Sequence, residues 1–133
     1  MLRVSAIDAK NELEEFLFTW TALEFLIKGI YSHYYKVSFA ALATASGISR
    51  VDLLRAILAP RRFDTRENGM SFKFLASVYI LDKSRLTEIF DHFDPLRKFR
   101  NEAFHEASIS DLQGNIIRTR SLLLDMLRLH RGV

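Results

Sequence analysis

Arg100, Asn101 and His105 follow one another late in the chain as Arg-Asn-x-x-x-His, inside Leu96-Arg97-Lys98-Phe99-Arg100-Asn101-Glu102-Ala103-Phe104-His105-Glu106. An imidazole has an unperturbed pKa of about 6.5, so it gives and takes protons at neutral pH. A guanidinium is a permanent cation whose fork of donors matches two phosphate oxygens. Residues four apart share a helix face, so Asn101 is positioned to hydrogen-bond His105 and hold its ring. These three groups suffice for a metal-free reaction, in which the 2′-hydroxyl of an RNA strand attacks its own 3′-phosphate. His105 would move the proton and Arg100 would stabilise charge on the phosphorane. General acid–base help of this kind is worth about 10²–10⁴-fold, and charge stabilisation adds to it. DNA lacks the attacking hydroxyl. Arg97 and Lys98 just upstream, with Arg61 and Arg62 in the polar stretch 60–69, are the cations expected to hold nucleic acid. An ordinary amphipathic surface helix can carry the same Arg–His spacing, so the pattern needs its context.

The elements that must position these groups read as helices. The 133 residues include two prolines and five glycines, strand-like alternation is scarce, and a 3.6-residue period dominates. A first helix is expected over 5–36, opened by Ser5 and Asp8 in a capping-box-like pattern. Residues 38–58 read as two short helices broken near Gly47, and 60–69 as a polar loop. Helices follow over 71–80 and from Ser84. Asp94-Pro95 reads as N-cap and first helical residue, restarting or kinking the helix that carries Arg100. Ser108 or Ser110 is expected to cap a last helix ending near His130. No repeat or linker divides the chain. The expectation is one all-α domain over 1–133, a four- to five-helix bundle.

The first helix carries two apolar faces. Leu13, Phe16, Leu17, Trp20, Leu23, Ile27, Ile30, Tyr31 and Tyr34 form the core stripe. Phe18, Ala22, Phe25, Leu26 and Gly29 fall on the other side. That second face is read as the contact of a homodimer, with another helix of the same chain as the alternative cover. Glu24 falls in the core stripe, where an ionised carboxylate is costly unless paired. Either it meets Arg100 or orients His105, or it sits at a packing edge and reaches water.

Composition limits the remaining chemistry. Hydrophobic residues make up 49% and include eleven Phe, which excludes a disordered chain. Cysteine is absent, which excludes thiol catalysis and Cys-based metal sites. His92 lies between Asp91 and Asp94, but adjacent groups rarely converge on one ion. No Gly-rich phosphate loop, HExxH or Ser/His/Asp order occurs. The expectation is therefore no metal and no cofactor. The net charge of +3 is uneven: residues 1–35 net −2 and the remainder +5, so an anionic partner would sit downstream. The N-terminus does not read as a signal peptide, and no run reaches the roughly 18 apolar residues of a membrane span. A cytoplasmic protein with no membrane contact is expected.

Residues 39–58 partly fit a helix-turn-helix, with Gly47 in the turn and Ser49, Arg50, Asp52 and Arg55 on the exposed side. Ser46 departs from the pattern, and Asp52 is unhelpful beside phosphate. A DNA-binding regulator is thus a second reading, and a helical hairpin packed on the bundle is the plainer one.

The Arg100-Asn101-x-x-x-His105 segment, late in an all-α chain and followed by one more long helix, resembles the HEPN superfamily and its R-x(4–6)-H pattern. The lead-in from Phe72-Lys73-Phe74-Leu75 through Leu81-Asp82-Lys83 to Phe93-Asp94-Pro95-Leu96 is similar as well. Trp20-Thr21-Ala22-Leu23-Glu24 looks like the first-helix Trp–Glu pattern of several branches. The resemblance spans most of the chain at the level of fold and is specific only at 100–105. It implies a bundle that dimerises and brings two Arg/His pairs into one cleft. It implies a metal-independent endoribonuclease, serving as a toxin, in anti-phage defence or in RNA processing, with an antitoxin protein as a partner. Other members have lost the activity and act as binding or regulatory modules. Arg100, Asn101 and His105 all match the active pattern.

Overall fold

A computed structural model describes residues 6–102 and 111–132, with side chains from residue 11 onward in those ranges. Every regular element among them is helical. Helix α1 (Ala6–Ile30) enters one π turn (Tyr31–Tyr35) and continues as α2 (Lys36–Ser46). The expected end near residue 36 is therefore not an end. Ile27, Tyr31, Tyr35, Phe39 and Ala43 are spaced by four. At about 100° per residue each step drifts by about 40°, which would carry Ala43 about 160° from Ile27. The wider π turn returns the phase by about one residue's rotation. Tyr31, Phe39 and Ala43 are buried with Ile27, and Tyr35 packs half-buried against them. Tyr34, which an unbroken period assigns to the core, is instead 60% exposed.

The break at Gly47 falls where the sequence sets it. Gly47 adopts φ 71°, a conformation that suits a residue without Cβ. The N–H of Ile48 donates to the Ala43 carbonyl at 3.3 Å and that of Gly47 to Thr44 at 3.2 Å. The chain then turns through 83° into α3 (Arg50–Leu58). Ser49 caps α3, its hydroxyl accepting from the Asp52 N–H at 3.1 Å.

Helix α4 (Met70–Asp82) is apolar nearly all round, and Phe72, Phe74, Leu75, Ala76 and Val78 are buried. It packs on α1, α2, α3, α5 (Leu86–Glu102) and α6 (Leu112–Arg131), reaching α5 through a 3-10 turn at Lys83–Arg85. Helix α6 runs alongside α1 in the same direction. Arg120 pairs with Glu15 near one end, and Tyr35 Oη shares a 2.8 Å hydrogen bond with His130 Nδ1 at the other. His130 is thus a half-buried tie between helices. No single helix among the described residues is long and apolar enough to cross a membrane.

Two expected boundaries need correction. Asp94-Pro95 starts no new helix, because Pro95 lies inside α5. The Asp94 carboxylate, which the sequence reading assigns to a cap, instead accepts from Arg97 at 3.1 Å and pairs with Lys98 at 3.1 Å. The pyrrolidine ring is exposed, so the carbonyl left without an N–H partner lies on the water side. At the start of α6 the leading residue is Asp111, at φ 58° and with no side-chain cap. Its carboxylate pairs with Arg118 at 2.9 Å and lies over Gly114, where a Cβ would come within 2.3 Å of it. Ser5, Ser108 and Ser110 lie outside the described residues.

A stack of rings joins three helices. Trp20 of α1 stacks on Phe93 of α5 at 5.7 Å, and Phe93 stacks on Phe74 of α4 at 4.2 Å. Phe16 meets Phe99 edge-on at 4.9 Å. Trp20 with Phe93 and Phe16 with Phe99 set α1 and α5 antiparallel. Replacing Phe93 by Ala removes the middle ring and leaves a cavity, an expected loss of about 3–5 kcal/mol. Urea denaturation of Phe93→Ala beside the wild type measures it.

Candidate functional site

Phe93, Leu96 and Arg100 follow one another at i, i+3 and i+7 on α5, so Arg100 continues the buried stripe past its apolar end. Glu24 stands one turn beyond Trp20 on α1. Both side chains line a pocket of about 190 Å³, together with Trp20, Arg97 and Asn101 and the loop residues Asp64 and Arg66. Glu24 is half-buried, at the rim of the stripe and not in its middle. From the antiparallel register, Glu24 and Arg100 enter from opposite ends with Trp20 between them. Asn101 is exposed, and its Oδ1 accepts from Arg100 Nη1 at 3.4 Å. The expected hydrogen bond from Asn101 to His105, and His105 itself, lie outside the described residues.

Arg66 falls in the basic 60–69 loop whose arginines are expected to contact nucleic acid, whereas Asp64 was not singled out from the sequence. Asp64 Oδ1 accepts from the Arg66 N–H at 3.1 Å and from its Nε at 3.0 Å, closing a tight turn ahead of Gly69 and α4. These bonds to Arg66 hold the Asp64 carboxyl down at about 2, with Arg97 adding a smaller pull. An acid two residues before a cation, in a loop that ends on glycine, was the available signal.

The pocket presents three guanidinium groups, Arg66, Arg97 and Arg100, against the carboxylates Glu24 and Asp64. Asp64 engages Arg66 and Asp94 engages Arg97, so the charges are nearly balanced, and it is the forked donors of the arginines that suit phosphate oxygens. Its volume is below the roughly 300–1,000 Å³ of pockets that hold whole small molecules. It matches a phosphoryl group more closely than a nucleotide.

Three of the four cations expected to hold nucleic acid are engaged by acids of α5. Arg97 lines the pocket with its guanidinium on Asp94, and Lys98 shares that carboxylate from the exposed side. Arg61 binds Asp91 through two hydrogen bonds, 2.7 and 2.9 Å, which lower the Asp91 carboxyl below its ordinary value. Arg62 is exposed beside a separate cleft over residues 55–65. The acids flanking His92 are therefore occupied by cations, and no cluster of metal-ligating side chains occurs among the described residues. In the 39–58 segment Arg50 pairs with Glu67 and Arg55 with Asp52. The 83° turn suits a helix-turn-helix, but each exposed arginine of α3 is matched by an acid.

Asp64 makes the pocket wall sensitive to acid. Its carboxyl titrates at about 2 in the fold against an ordinary 3.8. The Asp64–Arg66 pair thus stabilises the protein at pH values above about 4, and that contribution is lost as pH falls toward 2. The melting temperature of the wild type is expected to fall more steeply between pH 5 and pH 2 than that of Asp64→Asn, as followed by circular dichroism.

Comparison of the chain with protein-family models, with curated proteins and with solved structures returned no match in any of the three.

Proposed function

We propose that the protein is a metal-independent endoribonuclease that cuts single RNA strands at the Arg100 pocket. One observation carries the reading: Arg100, Asn101 and Glu24, picked out by residue type and spacing, line a single pocket together with the guanidinium groups of Arg66 and Arg97. His105 follows Arg100 by five positions in the sequence and lies outside the described residues. In the proposed reaction His105 removes the proton of the 2′-hydroxyl. The 2′-oxygen bonds to phosphorus, the bond to the 5′-oxygen breaks, and that oxygen leaves with a proton. Arg100, with Arg97 and Arg66 beside it, stabilises the charge on the phosphorane. Glu24, across Trp20 from Arg100, adds a carboxylate at the far side of the pocket. The products are a 2′,3′-cyclic phosphate and a 5′-hydroxyl end. The resemblance to HEPN proteins supports this assignment and a toxin, defence or processing setting, with an antitoxin protein restraining the enzyme.

Purified protein is expected to cut single-stranded RNA in EDTA and to leave DNA of the same sequence intact. Replacing His105 by Ala should lower the rate by about 10²–10⁴-fold, and Arg100→Ala should lower it while the fold melts normally. Gel analysis of labelled strands, with the cyclic end identified by mass, reads both. RNA bound but left whole by the wild type would replace the enzyme with a non-cleaving binding module.

The second apolar face supports pairing of two chains. Phe18 is 78% and Phe25 81% exposed, Ala22 is exposed between them, and no atom lies within 4 Å of a Cβ built on Gly29. Leu26, grouped with this face by its angle, is half-buried and packs on the core of its own chain instead. A second copy laid along this face would bury both rings, and two large aromatic surfaces are seldom left in water side by side. Light scattering should give the mass of a dimer for the wild type and of a monomer for Phe18→Glu/Phe25→Glu.

A further inference from the structure

A second cleft, of about 840 Å³, lies between the π turn, α2 and the start of α4. Its volume lies within the range of sites that hold whole small molecules or nucleotides. The floor is apolar and flat: Val37, Ala40 and Ala41 present short side chains along α2. Lys36, Arg50 and Lys73 stand around it, and Glu67 is the single carboxylate. Glu67 is engaged by Arg50 at 3.1 Å, so the surplus positive charge rests on Lys36 and Lys73. Neither lysine has an ion pair among the described residues. The Asn68 amide adds both a donor and an acceptor at the rim.

The position of this cleft is as informative as its lining. Residues 64–73 separate it from the Arg100 pocket. Asp64, Arg66, Gly69, Met70 and Ser71 face that pocket, whereas Glu67, Asn68 and Lys73 face the cleft. The same segment thus lines both cavities, as a strand held in the two together would require. The small pocket has room for a phosphoryl group and the large one for a base and sugar. The π turn, a kind of irregularity often found at functional sites, forms the lip of the larger cavity.

We infer that the cleft over Val37, Ala40 and Ala41 is a nucleotide subsite that holds one unstacked nucleotide of a single-stranded RNA whose neighbouring phosphate lies at Arg100. The inference rests on the ribonuclease reading of the Arg100 pocket. The base lies flat on the alanine floor, with its edge toward Asn68. Lys36 and Lys73 take the next two phosphates along the strand, on the side away from Arg100. Duplex RNA keeps its bases stacked and paired and does not fit this arrangement. The cleft thereby restricts the enzyme to single strands and sets which nucleotide stands beside the cut.

Binding of a fluorescein-labelled single-stranded oligoribonucleotide, followed by anisotropy across a salt series, tests the subsite without relying on turnover. His105→Ala serves as the binding form. Adding Lys36→Ala and Lys73→Ala should weaken binding about tenfold or more. It should also reduce the slope of log K against log salt by about 1.4, two phosphate contacts on a single strand. Ala41→Leu fills the floor from an exposed position without offering a ring for stacking, and should weaken binding about tenfold with the slope unchanged. Melting curves verify that each variant folds. Cleft variants that bind like the parent overturn the subsite, even if the wild type cuts RNA. If neither the wild type nor His105→Ala cuts RNA but the cleft variants still lose binding, the ribonuclease reading fails and the subsite stands. Absence of any RNA binding by the parent overturns the subsite, as does equal affinity for single and duplex strands.

Discussion

The contact on which the rest depends is the stack of Trp20 on Phe93 on Phe74. It fixes α1, α5 and α4 at one point in the core. Each ring buries a large apolar area, and parallel offset rings add a further favourable term of about 0.5–1.5 kcal/mol per pair. Everything polar in the candidate site is measured from this point. Glu24 lies one turn from Trp20, Arg97 and Arg100 lie one and two turns from Phe93, and the loop wall enters α4 just ahead of Phe74. An apolar interaction thus determines how closely three guanidinium groups and two carboxylates approach each other. Charges on separate elements have no means of holding such an arrangement against solvent.

Much of the architecture was legible because it follows from period and punctuation. Gly47, Ser49 and the 60–69 loop mark their boundaries through backbone chemistry that is local to a few residues. The all-round apolar run at 70–82 could only be a central helix. The π turn was not legible from a fixed 3.6-residue period. It shows in the four-residue spacing of Ile27, Tyr31, Tyr35, Phe39 and Ala43, which a regular helix cannot keep on one face. Pro95 misled for the opposite reason. Its local preference to start a helix was outweighed by Phe93 and Leu96, buried on either side of it and needing one continuous surface.

The site was legible in part. Arg100, Asn101 and Glu24 could be selected by residue type and helical angle, because those properties survive in one dimension. Asp64 could not, nor could the place of Arg66 beside Arg100, since that distance along the chain is closed by tertiary packing alone. The basic residues were the least informative. Arg61, Arg97 and Lys98 look like free cations in the sequence, yet Asp91 and Asp94 already engage them. A count of positive charges overstates the field that a phosphate meets whenever acids follow at helical spacing.

Helix α4 has almost no face of its own toward water. Cut loose, it would present a cylinder of Phe, Leu and Val to solvent, and each surrounding helix would lose a wall at the same moment. Partial opening of the bundle at its centre is therefore disfavoured relative to complete unfolding. The molecule should behave in a denaturant as one cooperative unit, with slow exchange of the α4 amides that matches global opening. Whatever motion the protein needs must be found at its edges, in α3 and the turn that leads to it.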